Sequence, residues 1–493
     1  MIRTLLNRTL SIIILCFFLS GIYYYGLVSY YDNYVFSSEV RSLFSSENIE
    51  DYSNSYESYT PDLDDYYIEK YKFLSDARAI ENTKYNIGLC TSLISNPVEP
   101  SEEDKAWEGC YVVFGSYDDR FVTYRVLDKD CVKFGGNTLF LDCDCVLLPG
   151  NFREDLNRKT PDDIQNLWSG SDIRKRLNGE EFLYNEECFT DVERESIFES
   201  FIGSHELNGP GCDDQIESLT AFQFENYTPL NGDKIFCLDV EDAYNSKYGY
   251  SDSRDLNLNH HKEYMYSDAR GWWVRSTYKS DPLSAATINL YGNLHINPVN
   301  DDLWPGISPA LNIDREKILF SSYYKSFSNV FKLTLLDENM NISTTGKISR
   351  NGNKIFVPYK TIGTDCNLIN RFSVVLLDKP YTSGNTNEAE IIDYLDAFSD
   401  KDKRCLTFEL PEDYEGDCYI YILAEYKSKE NSSDYASDLC LLDLPEEDVY
   451  YVMPGDTLWK ISKKLEVNVK TLIDKNDIED PNLILPGQEI IFK

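Results

Sequence analysis

The chain has 493 residues, beyond the roughly 250–300 at which a single hydrophobic core stops growing, so about three folded domains are expected. It carries 47 Lys and Arg against 84 Asp and Glu, a formal net charge of −37. Such a charge repels other polyanions and argues against nucleic acid or an anionic lipid surface as the partner.

Residues 1–31 are expected to form a signal anchor or signal peptide. No charged residue occurs in the 23 positions between Arg8 and Asp32, and Ile12 to Leu19 form a dense apolar run. A helix of about 20 residues reaches the roughly 30 Å of a bilayer's hydrocarbon core. Arg3 and Arg8 precede the run and Asp32 and Glu39 follow it, which by the positive-inside rule places the rest of the chain outside the cytoplasm. An uncleaved transmembrane helix is favoured over a cleaved peptide, because Leu19-Ser20-Gly21 is a poor cleavage site. The membrane is then one partner, and the location is extracytoplasmic, membrane-anchored or secreted, and cell-wall associated. Residues 32–105, rich in Ser, Asp, Glu and Tyr without clear period, read as an acidic spacer.

Of the thirteen Cys, Cys16 lies in the apolar run, eight fall between Cys90 and Cys237, and four between Cys366 and Cys440. Even counts per region suit disulfides outside the cell, although spacing does not give the pairing. Cys143-Asp144-Cys145 is too close to resemble a C-x-x-C redox or zinc pair, and no second ligand pair completes a metal site. No metal and no cofactor are expected.

Residues 106–318 read as an α+β domain. Tyr111–Tyr117, Phe121–Asp128 and Thr138–Leu141 have strand composition, with turns at Asp118-Asp119 and Gly135-Gly136. Ser171 is placed to cap a helix over Asp172–Asn178 that Gly179 ends. No catalytic residue is assigned: His260-His261-Lys262-Glu263 lacks the spacing of a zinc helix, and there is no nucleophile elbow or P-loop. Glycan hydrolysis needs two carboxylates in different environments, and 84 acidic residues offer too many pairs to choose from. Arg275 beside Trp272 and Trp273 fits either a stacking ligand site or, in preference, a core strand. The phrases Tyr124-Arg125-Val126-Leu127-Asp128, Trp168 to Gly179, Asp233 to Leu238, Gly271 to Ser276 and Pro309-Ala310-Leu311 follow in an order that resembles an uncharacterised bacterial extracellular domain. The resemblance spans roughly Trp107 to Ile318, implies a surface module without assigned activity, and breaks at Ser308, where that family usually has Arg.

Residues 328–445 alternate short strands with turns: Phe331–Leu336, Lys354–Tyr359, Phe372–Leu377, Leu406–Leu410 and Cys418–Leu423. This spacing predicts an all-β, immunoglobulin-like sandwich acting as a spacer.

Residues 449–493 read as strand, helix, helix, strand. Tyr450–Met453 has strand residues, Pro454-Gly455 turns, and Asp456 is a candidate N-cap for a helix with Leu458, Ile461 and Leu465 on one face. Asn468 is placed to cap a second helix carrying Val469, Leu472, Ile473 and Asn476 on one face, and Pro486-Gly487 leads into the strand Glu489–Phe492. Tyr451 to Ile461, with Pro454-Gly455-Asp456-Thr457-Leu458-Trp459, and Asn476 to Gln488, with Asp480-Pro481-Asn482-Leu483-Ile484, resemble the LysM domain. The resemblance implies a small βααβ fold whose shallow groove takes peptidoglycan or chitin-like N-acetylglucosamine polymers. The matching positions place Gly455, Asp456, Thr457 and Leu458 on one side of that groove and Ile478, Pro481, Asn482, Leu483 and Ile484 on the other. Six Lys nearly balance seven Asp and Glu in the module, so hydrogen bonds and apolar contact with a sugar ring outweigh net charge. The chain is thus expected to be multidomain, a surface protein bridging membrane and wall without enzymatic activity. A wall-remodelling enzyme with a catalytic middle domain and a spore or envelope assembly protein are the alternatives.

Overall fold

The structure, a computed structural model, describes residues 87–100, 106–156, 165–203, 205–207, 224–226, 230–251, 258–265, 271–289, 291–300, 305–324, 329–385, 389–400, 404–412, 414, 416–445 and 448–492. The expected membrane or signal helix at 1–31 lies outside the described residues. No described helix is long and apolar enough to cross a membrane.

Strands dominate the described residues, and the α-helices of the middle region are short: Asp172–Leu177, Asp191–Ser196 and Val240–Ala243. The α+β expectation for 106–318 is corrected accordingly to a β-rich region with brief helical connections. Tyr111–Tyr117 and Arg120–Cys131 form a hairpin whose turn residues, Asp118 and Asp119, both have positive φ (51° and 60°). That backbone matches the right-handed twist of the paired strands, and Asp tolerates it better than a branched residue does. Thr138–Cys143 pairs with Arg120–Cys131 on one side and with Ala310–Asp314 on the other, each pairing antiparallel. A second sheet contains the meander Gly271–Tyr278, Ser284–Asn289 and Leu294–Pro298. Trp168, Trp272, Trp273, Phe114 and Phe140 are fully buried in the common core.

Two expectations about organisation change. Residues 87–100 fall within the expected acidic spacer, yet Ile87–Leu89 pairs antiparallel with Ile318–Tyr323, and Leu89 and Ile94 are buried. Val330–Leu336, expected in the sandwich, pairs antiparallel with Ile318–Tyr323 and parallel with both Tyr111–Tyr117 and Asp434–Ala436. Around Asp434–Ala436 a polar clamp joins the two regions: Lys332 Nζ lies 2.8 Å from Asp434, Tyr435 bonds Thr190 at 2.8 Å, and Ser432 bonds the buried Glu193. Both oxygens of the buried Glu193 carboxylate are bonded there, one by Ser432 and the other by Thr190, as burial favours.

The remaining strands enclose a core of their own. Lys354–Ile362 pairs with Cys405–Glu409, and Arg371–Leu377 pairs with Tyr419–Tyr426. Ile391–Asp400 joins both pairs, bonding Arg371–Leu377 along its first part and Cys405–Glu409 at its end. Val357, Leu406 and Phe408 from one pair meet Val374, Leu376, Ile420 and Ile422 from the other. Alternating apolar residues on each strand produce this shared inner face.

None of the eleven described cysteines is disulfide-bonded to another. Most are buried and pack as small apolar side chains.

Candidate functional site

The C-terminal module is built on two short antiparallel strands, Val449–Tyr451 and Glu489–Ile491. The pairing runs on past them, with Val452 N donating to Gln488 O at 2.9 Å and Gly487 N donating to Val452 O at 2.7 Å. The chain leaving the first strand and the chain entering the second therefore start from the same end of the ladder. This places the 453–457 turn beside the end of the 476–488 loop, while the start of that loop is tied to the other end of the ladder, where Asn476 bonds both N and O of Ile491. Between them come the helices Leu458–Leu465 and Val469–Lys475. Leu458, Ile461, Leu465 and Leu472 pack with Tyr450, Ile490 and Phe492 in one small core.

The helix caps were nearly legible. Asn468 caps the second helix as expected, its side chain accepting from Lys470 N. The first helix is capped one residue later than expected: Thr457 Oγ1 accepts from Lys460 N at 3.2 Å. Asp456 is corrected from cap to turn brace, its Oδ2 accepting from Tyr450 OH at 2.7 Å and Met453 N at 3.0 Å. Adjacent Asp and Thr both have capping chemistry, and the buried Tyr450 hydroxyl decides between them by claiming the carboxylate.

Gly455 is exposed at φ 83°, a left-handed turn position with open space around it. Its carbonyl accepts from Lys460 Nζ at 2.9 Å. Thr457, Pro481, Asn482 and Leu483 are also exposed, whereas Asp456 and Ile484 are half-buried. Asp480 Oδ1 accepts from Asn482 N at 2.9 Å and shapes the second loop as an Asx turn. Leu458 and Ile478 are buried in the core, so the apolar cover expected from them falls to Leu483. Trp459 and Leu485 add exposed apolar surface that sequence reading did not single out. Their signal was available: Trp459 lies one step off the buried Leu458–Ile461–Leu465 stripe.

Another side of the module is docked. Phe356 and Cys405 of the neighbouring sheet join the module's core, and the Phe356 and Tyr450 rings meet edge-on at 6.2 Å. Lys464 Nζ sits 4.2 Å from the Phe356 ring centre and donates to Tyr450 OH at 3.2 Å. Tyr451 N donates to Ser349 Oγ at 2.7 Å, and Gly352 N to Asp448 Oδ1 at 2.6 Å. Burial, reinforced by the Asp456 carboxylate, raises the Tyr450 phenol pKa and keeps it a proton donor. These contacts leave Gly455, Thr457, Pro481, Asn482 and Leu483 exposed.

Two paired strands and two helices around one small core define a compact βααβ module. The LysM domain family model matches residues 450–493. LysM domains bind peptidoglycan and other N-acetylglucosamine polymers and occur in extracellular or cell-wall associated proteins, which supports a cell-wall binding role for this chain. No curated protein and no solved structure matches it, and nothing bears out the resemblance seen from Trp107 to Ile318.

In the middle region the polar groups that converge are sealed. Arg275 lies 3.6 Å from Asp239 and 3.4 Å from Asp242, and Trp272 and Trp273 beside it are buried core residues of the strand. Lys262 Nζ pairs with Asp142 Oδ2 at 2.6 Å, both 0 % exposed, and Tyr250 OH bonds the same carboxylate. Burial pushes the Asp142 carboxyl up and the Lys262 amine down, while their mutual attraction opposes both shifts. Arg125 bonds Asp144 at 2.7 Å and the carbonyls of Asn259 and His261, each at 2.7 Å.

Proposed function

We propose that the chain is a non-enzymatic surface protein that holds peptidoglycan glycan in the end loops of its LysM module and bridges membrane and cell wall. The observation that carries this reading is the division of the module's surface: one side is fixed to the neighbouring sheet and the loop end is open. In the groove, the backbone amides of Gly455 and Thr457 and the Asn482 side chain bond the acetamido group, and Leu483 covers a sugar ring face. Gly455, Asp456, Thr457, Leu458, Ile478, Pro481, Asn482, Leu483 and Ile484 form the site, the buried members shaping loops that the exposed members present. The segment at 1–31 anchors the chain, 106–318 serves as an extracellular spacer and interaction surface, and the 328–445 sandwich holds the module at a set orientation.

Two measurements test this reading. The full chain is expected to co-sediment with insoluble peptidoglycan and to be released by N-acetylglucosamine oligomers; absence of sedimentation contradicts it. The turbidity of a cell-wall suspension is expected to stay flat with the same protein. A steady fall in turbidity assigns the middle region a hydrolytic role instead.

A further inference from the structure

We propose that Cys143 and Cys145 are a reversible dithiol–disulfide couple. Residues two apart in extended chain point to the same face, and this pair straddles the junction of the strands Thr138–Cys143 and Cys145–Val146. Their Sγ atoms lie 3.5 Å apart, and both side chains are fully buried. Closing to the about 2.05 Å of an S–S bond is a small displacement on side chains that already face each other. Among the described residues no group of three or more His, Cys, Asp or Glu is placed to hold a metal ion, so the pair stands as a dithiol.

The surroundings hold the backbone of the pair from both sides. Cys143 N donates to Pro309 O at 2.8 Å, and Asp144 N to Thr123 O at 3.0 Å. The Ser308 hydroxyl lies 3.1 Å from the Cys143 carbonyl and 3.0 Å from that of Cys145, and Lys262 Nζ donates to its oxygen at 2.7 Å. Asp144, between the two cysteines, is fixed by Arg125. Closing so small a ring removes little unfolded-chain entropy, so the bond contributes little as a staple. Small, strained rings are instead the readily reduced disulfides, which suits a redox couple.

The oxidant is a low-molecular-weight disulfide. The thiolate of one cysteine attacks it, forming a mixed disulfide and releasing one small thiol. The second cysteine loses its proton to solvent and attacks the protein-side sulfur. The Cys143–Cys145 bond forms, a second small thiol leaves, and the pair's two electrons end on the oxidant's two sulfurs. Since both thiols are buried, exchange proceeds when the junction of the two strands opens locally.

Both cysteines, and no others, fall in the tryptic peptide Phe134–Arg153. The full chain is equilibrated in graded mixtures of reduced and oxidised glutathione with sub-denaturing urea, quenched in acid, and alkylated after denaturation. At the oxidising end this peptide is expected to be lighter by two hydrogen atoms and to resist alkylation, while the Ile235–Lys247 peptide containing Cys237 still alkylates. Return to the reducing end is expected to restore both alkylations. The proposal is overturned if both thiols alkylate at the oxidising end, if they carry glutathione only, or if they are linked to other cysteines.

Discussion

The LysM module and the middle region both gather polar side chains, and they do so in opposite ways. In the module, Asn482, Thr457 and the Gly455 turn face solvent, and the core beneath them is almost wholly apolar. In the middle region Asp142, Lys262, Tyr250, Arg125 and Asp144 converge at the centre, bonded to one another and to backbone carbonyls, with Asp142 Oδ1 left without a hydrogen-bond partner. The difference teaches that convergence alone does not make a site. Groups that satisfy each other inside a core hold it in one arrangement, whereas groups left open on a supported loop are available to a ligand.

Five single substitutions separate these cases, beginning with the largest effect. Lys262→Met leaves the Asp142 carboxylate buried without its counter-charge and should cost about 3–5 kcal/mol. Urea unfolding followed by tryptophan fluorescence measures it, and adding Asp142→Asn to the same chain should recover part of the loss. Glycan binding per folded molecule should be unchanged, which sharpens the contrast.

His260 supplies a pH test of the same core. It stacks on Tyr250, and burial lowers its pKa to about 3 from an ordinary 6.5. The unfolded chain therefore binds this proton between about pH 6.5 and 3 while the folded chain does not, so stability falls as pH drops through that window. The slope approaches about 1.4 kcal/mol per pH unit for this group. His260→Gln should be less stable at pH 7 yet should lack this contribution, seen as a smaller shift of the urea midpoint between pH 7 and pH 5.

On the module, Leu483→Ala or Asn482→Ala should weaken peptidoglycan binding by about tenfold, near 1.4 kcal/mol, with thermal stability within about 0.5 kcal/mol. Sedimentation isotherms and a melting curve on the same samples check both halves. Lys464→Ala, on the docked side, removes a cation–ring contact and should cost about 0.5–1 kcal/mol. Faster amide exchange in Val449–Tyr451 is the expected readout, with little change in glycan affinity. The docking contributes to a module of this size, because so few residues bury little apolar surface on their own.

Local pattern made much of the fold legible. The Tyr111–Tyr117 strand, the Asp118-Asp119 turn, the Ser171 cap and the apolar stripe Leu458–Ile461–Leu465 all follow from periodicity and turn chemistry. Where two residues compete for one role, as Asp456 and Thr457 do, the outcome depends on Tyr450, which reaches Asp456 only after folding. Short polar strands such as Ser349–Asn351, and the acidic Ile391–Asp400, escaped because most of their side chains stay partly or fully exposed and show little alternation of burial. Val330–Leu336 was legible as a strand, but two of its partners, Tyr111–Tyr117 and Asp434–Ala436, come from distant segments that no local signal identifies. The module itself was legible through the LysM resemblance, while the distinction between Leu458, which packs, and Leu483, which is exposed, required the fold.

The most direct test of the central claim is co-sedimentation of the full chain with insoluble peptidoglycan, comparing Asn482→Ala/Leu483→Ala with Lys464→Ala. Glycan binding through the open loop end predicts that the loop variant loses most of its binding and the docked-side variant keeps it. Equal binding by wild type and loop variant, with loss only in Lys464→Ala, would contradict the assignment of the groove.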